Sequence, residues 1–174
     1  MRLFVALDLP IPTRAALATW ADAVAPPELL RVPPADLHLT LVFLGERSVA
    51  EAVAAGALLK ARRLGPMHTA GALWLPPRRP GVLAVALRKS PKLTALQAEL
   101  TDALATTIGL APDRHRFRPH VTLARVPRGT RPDRVVDPPP PLFSFQAPSL
   151  TLYHSWNGPG GPVRYDPVAR IALR

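Results

Sequence analysis

The 174-residue chain contains no cysteine, which excludes disulfides, thiol nucleophiles and thiolate metal sites. That composition fits a reducing cytoplasm, the compartment expected for this protein. Acidic side chains are scarce, 12 against 22 Lys and Arg, leaving a net charge of +10. Lysine is scarcer still, with 3 residues against 19 arginines. Aromatic residues make up 6%, and no aromatic-rich strand of the kind that stacks RNA bases is visible. No apolar run approaches membrane-spanning length. The opening Met1–Asp8 is broken by Asp8 and Pro10 too early for a signal-peptide core.

What is present is 48% apolar residues and 23 prolines, in a length that buries a substantial core with many turns. The arginine excess has two readings. A compositional bias toward Arg, Ala and Pro accounts for the global figure as well as phosphate binding does. The stretch Arg114 to Arg131, however, holds six arginines, and the guanidinium fork matches phosphate geometry better than an ammonium does.

Hydrophobic spacing predicts an α+β chain. Leu3–Leu7 reads as a strand. Pro12 opens a helix with Leu17, Trp20, Ala21 and Val24 on one face, ended by Pro26-Pro27. Leu37–Leu44 is a strand closed by Gly45. Ser48 and Glu51 have capping-box spacing for a helix running to about Leu64. Ala70–Leu75 and Val82–Leu87 form a hairpin through the 76–81 loop. Ser90-Pro91 starts a third helix, with Leu93, Leu96, Leu100 and Leu104 aligned and Gly109 as its stop. Val121–Val126 is a strand, Arg128–Pro141 an irregular loop, and Phe143–Phe145, Leu150–Tyr153 and Val168–Leu173 are the last strand candidates.

One tetrad occurs twice, as His38-Leu39-Thr40-Leu41 and His120-Val121-Thr122-Leu123. Two residues along a strand return to the same face, so each copy shows an imidazole and a hydroxyl one way and two aliphatic side chains the other. In the first strand all odd positions from Leu37 to Phe43 are large and apolar, opposite Asp36, His38 and Thr40. In the second, Arg118, His120 and Thr122 share a face. The copies lie 82 residues apart, near half the chain. Residues 1–174 are therefore expected to form a single catalytic domain of two intertwined lobes, one carrying residues 38–41 and the other 120–123.

Two histidines, two threonines and an arginine suit a phosphoryl group. Imidazoles exchange protons near neutrality, while hydroxyls and a guanidinium hold the non-bridging oxygens. A single His-x-Thr is an ordinary strand surface; the duplication beside an arginine-rich segment is what points to chemistry. Zinc needs three or more ligands, and here Cys is absent, no His-x-x-x-His occurs, and Asp36 is the one obvious carboxylate near either tetrad. No metal and no cofactor is expected. His68 and His154 lack a partner signal, and His115 stands on a loop before the second strand.

On these residues the sequence resembles the 2H phosphoesterase superfamily, and within it the bacterial and archaeal RNA 2′,3′-cyclic phosphodiesterases, also called 2′-5′ RNA ligases. The resemblance spans nearly the whole chain. It runs from Arg2-Leu3-Phe4-Val5-Ala6-Leu7 through residues 37–45 and 117–125 to Leu152-Tyr153-His154-Ser155, Gly158–Pro162 and Tyr165. It implies a bilobal α+β fold with pseudo-twofold symmetry, antiparallel sheets lining a central cleft and helices outside. It also implies metal-independent opening of terminal 2′,3′-cyclic phosphates of RNA to 2′-phosphates. By this resemblance His38 matches the proton donor and His120 the acceptor that activates water. Thr40, Thr122, Arg118 and Arg125 match phosphate-binding positions. Asp36 stands where relatives often have asparagine, and Trp156-Asn157 replaces a more usual Arg/Lys-Leu-like pair. The near-symmetric motifs carry no direction of their own.

The expected partners are RNA ends or small nucleotides bearing a 2′,3′-cyclic phosphate, handled by a monomer away from membranes. Alternatives in the same site are 2′-5′ RNA ligation and hydrolysis of small cyclic nucleotide phosphates. From another class comes a noncatalytic RNA-binding module, which would not require duplicated proton-transfer residues.

Overall fold

The computed structural model describes residues 1–113, 115–134, 136–157 and 163–174. Its elements follow the chain as β1 (Arg2–Asp8), α1 (Ile11–Val24), β2 (Leu30–Arg31), β3 (His38–Glu46), α2 (Val49–Ala57), β4 (Met67–Leu75), β5 (Val82–Leu87), α3 (Pro91–Ile108), β6 (His120–Arg125), β7 (Ser144–Phe145), β8 (Ser149–Asn157) and β9 (Val163–Ala172). The strands run β7-β4-β5-β6-β3-β1-β8-β9, with β2 added to β6. All the recorded pairings are antiparallel, so the predicted α+β class holds. The expected members Gly158–Pro162 and Arg114 fall outside the described residues.

Local chemistry sets the helix ends. Ser48 and Glu51 form a reciprocal capping box at α2, the side-chain oxygen of each accepting a backbone N–H of the other. Ser90 caps α3, Pro91 occupies its first turn, and Gly109 ends it at φ 63°, where a Cβ would be strained. α2 stops at Ala57 rather than near Leu64. Its last turn tightens through Leu58 and Leu59 N–H groups bonded to Ala55 and Gly56 carbonyls. The chain beyond is then claimed by tertiary partners, with Arg62 bound to Glu99 on α3 and its carbonyl accepting the Arg174 N–H.

The aligned leucines of α3 (Leu93, Leu96, Leu100, Leu104) and Leu17 of α1 are buried, joining Leu39, Leu41, Val121 and Leu123 in one core. Helices thus cover one face of the sheet and leave the His-x-Thr face uncovered. The motif strands β3 and β6 are neighbours at the centre of the sheet, paired directly at Leu39 and Val121. Antiparallel pairing there sets His38 beside Thr122 and Thr40 beside His120, related by a local twofold axis.

Candidate active site

Strand parity predicts Phe43 on the core side, and the structure places it elsewhere, 66% exposed. The cause is a β-bulge: Thr40 pairs with Ala6 and Val42 with Val5, so Leu41 is an extra residue on β3. Leu41 and Val42 are both buried, and the next side chain changes face; a second irregularity follows at Leu44. Phe43 therefore joins His38 and Thr40. β6 repeats the device at the same motif position. Thr122 pairs with Ala84 and Ala124 with Leu83, leaving Leu123 extra, and Arg125 swings onto the face of His120 and Thr122. Simple alternation would have put Arg125 on the opposite side. The bulge is what turns Arg125 into the cleft.

His38, Thr40, His120, Thr122 and Arg125 line one cleft of about 460 Å³, with Arg2 at its edge and no carboxylate among the lining side chains. A cleft lined by cations and hydroxyl donors favours an anion. Arg118 lines an adjoining groove of about 540 Å³, beside Arg116 and His115, that shares Thr40, Phe43 and His120 with the first. His154 sits next to Tyr153 and Ser155 on β8, with its side chain on the opposite face from theirs.

Both imidazoles are held alike. His38 Nδ1–H donates to the Asp36 carbonyl at 2.7 Å, and His120 Nδ1–H to the Arg118 carbonyl at 2.7 Å. A carbonyl can only accept, so Nδ1 carries the proton and Nε2 is the ring nitrogen left for other partners. Asp36 and Arg118 thus contribute main-chain oxygens whatever their side chains do.

The two environments differ. His38 packs against aromatic rings, with centroids 4.8 Å from Phe4, 6.1 Å from Tyr153 and 5.1 Å from Tyr165. This burial pushes its pKa from 6.5 down to about 4, helped by the charges of Arg125 and His120; the Asp36 carbonyl and the Asp8 carboxylate act in the other direction. Arg125 reaches across from β6, its Nη2 donating to Tyr165 Oη at 3.0 Å. Phe4, Tyr153 and Tyr165 all stand among the residues that carry the family resemblance, but nothing in the local sequence marks them as site residues, since each lies in an ordinary strand pattern.

The lowered value has a consequence for stability. Between about pH 6.5 and about 4 the unfolded chain binds a proton at His38 that the folded one refuses, so this contribution is complete above 6.5 and is lost as pH falls. Urea unfolding across that window should show wild type losing more stability on acidification than His38→Gln. Parallel curves would contradict the burial argument.

Two strands that each present a histidine and a threonine to one cleft, each imidazole anchored through Nδ1, define a two-histidine phosphoesterase. The chain belongs to the 2′-5′ RNA ligase superfamily, whose family model matches residues 9–155. It is 36% identical to the RNA 2′,3′-cyclic phosphodiesterase of Escherichia coli (strain K12) over 178 residues, covering 99% of this chain and 96% of that protein. It is 38% identical to the RNA 2′,3′-cyclic phosphodiesterase of Thermus thermophilus over 190 residues, covering 100% and 91%. The crystal structure of E. coli LigT complexed with 3′-AMP superimposes with a TM-score of 0.78 at 32% identity, covering 99% of this chain and 97% of that one.

Proposed function

We propose that this protein opens the 2′,3′-cyclic phosphate at RNA ends, leaving a 2′-phosphomonoester and a free 3′-hydroxyl. The carrying observation is the twofold arrangement of His38/Thr40 and His120/Thr122 about the Leu39–Val121 pair, with Nε2 of each imidazole as the exchanging atom. A phosphorus centred between them has one histidine on the side of entry and one on the side of departure, as in-line displacement requires. The names of the two curated relatives support the RNA substrate.

In this reading His120 Nε2 takes a proton from water as its oxygen bonds to phosphorus. The bond from phosphorus to the ribose 3′ oxygen breaks, and His38 Nε2–H delivers a proton to that oxygen. Thr40 and Thr122 donate to the non-bridging oxygens. No described residue claims either hydroxyl. Arg125, turned inward by its bulge, and Arg118, from the adjoining groove, neutralise the charge. The anionic substrate itself favours the His38 imidazolium, offsetting the desolvation felt in the open cleft. The two halves of the sheet act as lobes of one catalytic domain, monomeric and working on RNA ends in the cytoplasm. No helix among the described residues is long and apolar enough to cross a membrane.

Product analysis tests this. An oligonucleotide ending in a 2′,3′-cyclic phosphate should gain the mass of one water and become phosphatase-sensitive, with a 2′-monoester as product. A 3′-monoester, or no turnover, would refute it. Among the described residues no three His, Cys, Asp or Glu side chains gather as a metal site would need. Turnover should therefore survive exhaustive chelation and removal of the chelator; loss restored only by a stoichiometric divalent ion would contradict the mechanism.

A further inference from the structure

The local twofold axis that relates the motifs leaves one position conspicuously unmatched. On β1 the residue directly opposite His38 is Asp8; on β5 the residue directly opposite His120 is Ala86. Directly opposed residues of an antiparallel pair project from the same face, with Cβ atoms about 5 Å apart. We propose that Asp8 gives the histidine pair its direction, its carboxylate biasing His38 toward the imidazolium that donates a proton, while the matching position opposite His120 is an alanine. The proposal rests on the reading of His38 as proton donor and supplies its physical cause.

Asp8 is 5% exposed, and its charge is held rather than solvated. Oδ2 accepts from Ser149 Oγ at 2.5 Å and Thr151 Oγ1 at 2.8 Å, and Oδ1 accepts from Tyr153 Oη at 2.5 Å. Three hydroxyl donors suit an ionised, acceptor-only group. Burial and the Asp8 charge push the Tyr153 phenol up, so it stays a neutral donor. All three donors belong to β8, an interior neighbour of β1 that offers them at alternate positions. Among the described residues Arg170 alone is ion-paired with Asp8, its Nε 3.4 Å from Oδ2, and Arg170 is about half exposed and shared with solvent.

The other groups around His38 do not distinguish it from His120 in the donor's favour. Phe4 on β1 is apolar, and Tyr153 and Tyr165 on β8 and β9 are phenols. Arg125 and His120 on β6 oppose a positive His38; the Asp36 carbonyl, in the turn before β3, favours it, but the Arg118 carbonyl holds His120 in the same way and so gives the pair no direction. Asp8 is thus an anion that counters burial from the β1 side of His38, across from β6. It touches no substrate and acts through His38, so it is a positioning residue in the electrostatic sense.

The test follows both imidazoles by nitrogen NMR titration in the full chain, saturated with adenosine 2′-monophosphate as a product-like anion. Asp8→Asn keeps the shape but removes the charge and should lower the His38 pKa by about one unit, leaving His120 in place. Arg170→Gln exposes the carboxylate to less compensation and should move His38 upward. Opposite signs from two variants of one network cannot come from loosened packing alone. At neutral pH the single-turnover rate of Asp8→Asn should fall roughly tenfold, matching one unit of lost imidazolium. An unmoved His38, or shifts of the same sign in both variants, would overturn the proposal. If Asp8→Asn does not fold, Arg170→Gln decides alone: a His38 pKa that stays or drops is fatal. The titration is independent of which histidine donates. The donor reading itself fails separately if a substrate whose leaving group needs no proton does not rescue loss of His38.

Discussion

His120→Ala and His38→Ala should each slow single-turnover opening of a cyclic-phosphate-ended RNA by roughly 10²–10⁴-fold, the usual contribution of a positioned general acid or base. The two losses are distinguishable. Replacing the departing 3′ oxygen by sulfur creates a thiolate that leaves without a proton. On that substrate His38→Ala should run close to wild type, whereas His120→Ala should remain as impaired as before, because the attacking water still needs a base. Rescue of the His120 variant instead would reverse the two roles. A near-wild-type rate for either variant on the oxygen substrate would remove that histidine from proton transfer. Both imidazoles are anchored by a 2.7 Å bond to a main-chain carbonyl, so alanine at either position deletes no side-chain partner elsewhere.

Arg125→Ala should produce the next largest loss, about 10²-fold in kcat/KM, insensitive to salt because the guanidinium acts at short range inside the cleft. Tyr165→Phe removes the 3.0 Å bond that Arg125 makes across to β9 and serves as the control for its positioning. Arg118→Lys should also be impaired, since the lysine keeps charge but loses the bidentate fork. Arg128 and Arg131 lie outside the strands, and their replacement should matter mainly at low salt, as long-range attraction does. Single-turnover rates across a salt series separate these behaviours. A severe, salt-insensitive defect at Arg128 with a silent Arg125 would mean that the cleft is assigned to the wrong arginines.

The parts of this molecule that were readable from sequence are those governed by near neighbours. The capping box at Ser48, the leucine face of α3, the Gly109 stop and the His-x-Thr faces all depend on residues within a few positions of one another. The hairpin of β4 and β5 and the order of the strands along the chain were legible for the same reason. What was not legible depends on partners far along the chain. The bulges at Leu41 and Leu123 exist only in relation to β1 and β5, so alternation assigned Phe43 to the core. β2 is two residues long and forms because Leu30 and Arg31 lie against Arg125 and Ala124. α2 ends early because Arg62 and its neighbours find partners on α3 and at the C-terminus. Asp8 reads in sequence only as a break in an apolar run; its meaning needs β8 beside it and His38 opposite.

The seam between the motif strands bears on how the molecule holds together. β1 is zipped to β3 along its whole length, and β5 to β6 through five pairs, whereas β3 and β6 are registered to each other at Leu39 and Val121. The sheet is therefore two well-knit halves joined by a light stitch, and the stitch runs beneath the His-x-Thr side chains. On the proposed reading, a phosphate held by Thr40 from one half and Thr122 from the other would be a second fastening across that join, so that bound substrate would clasp the two halves together.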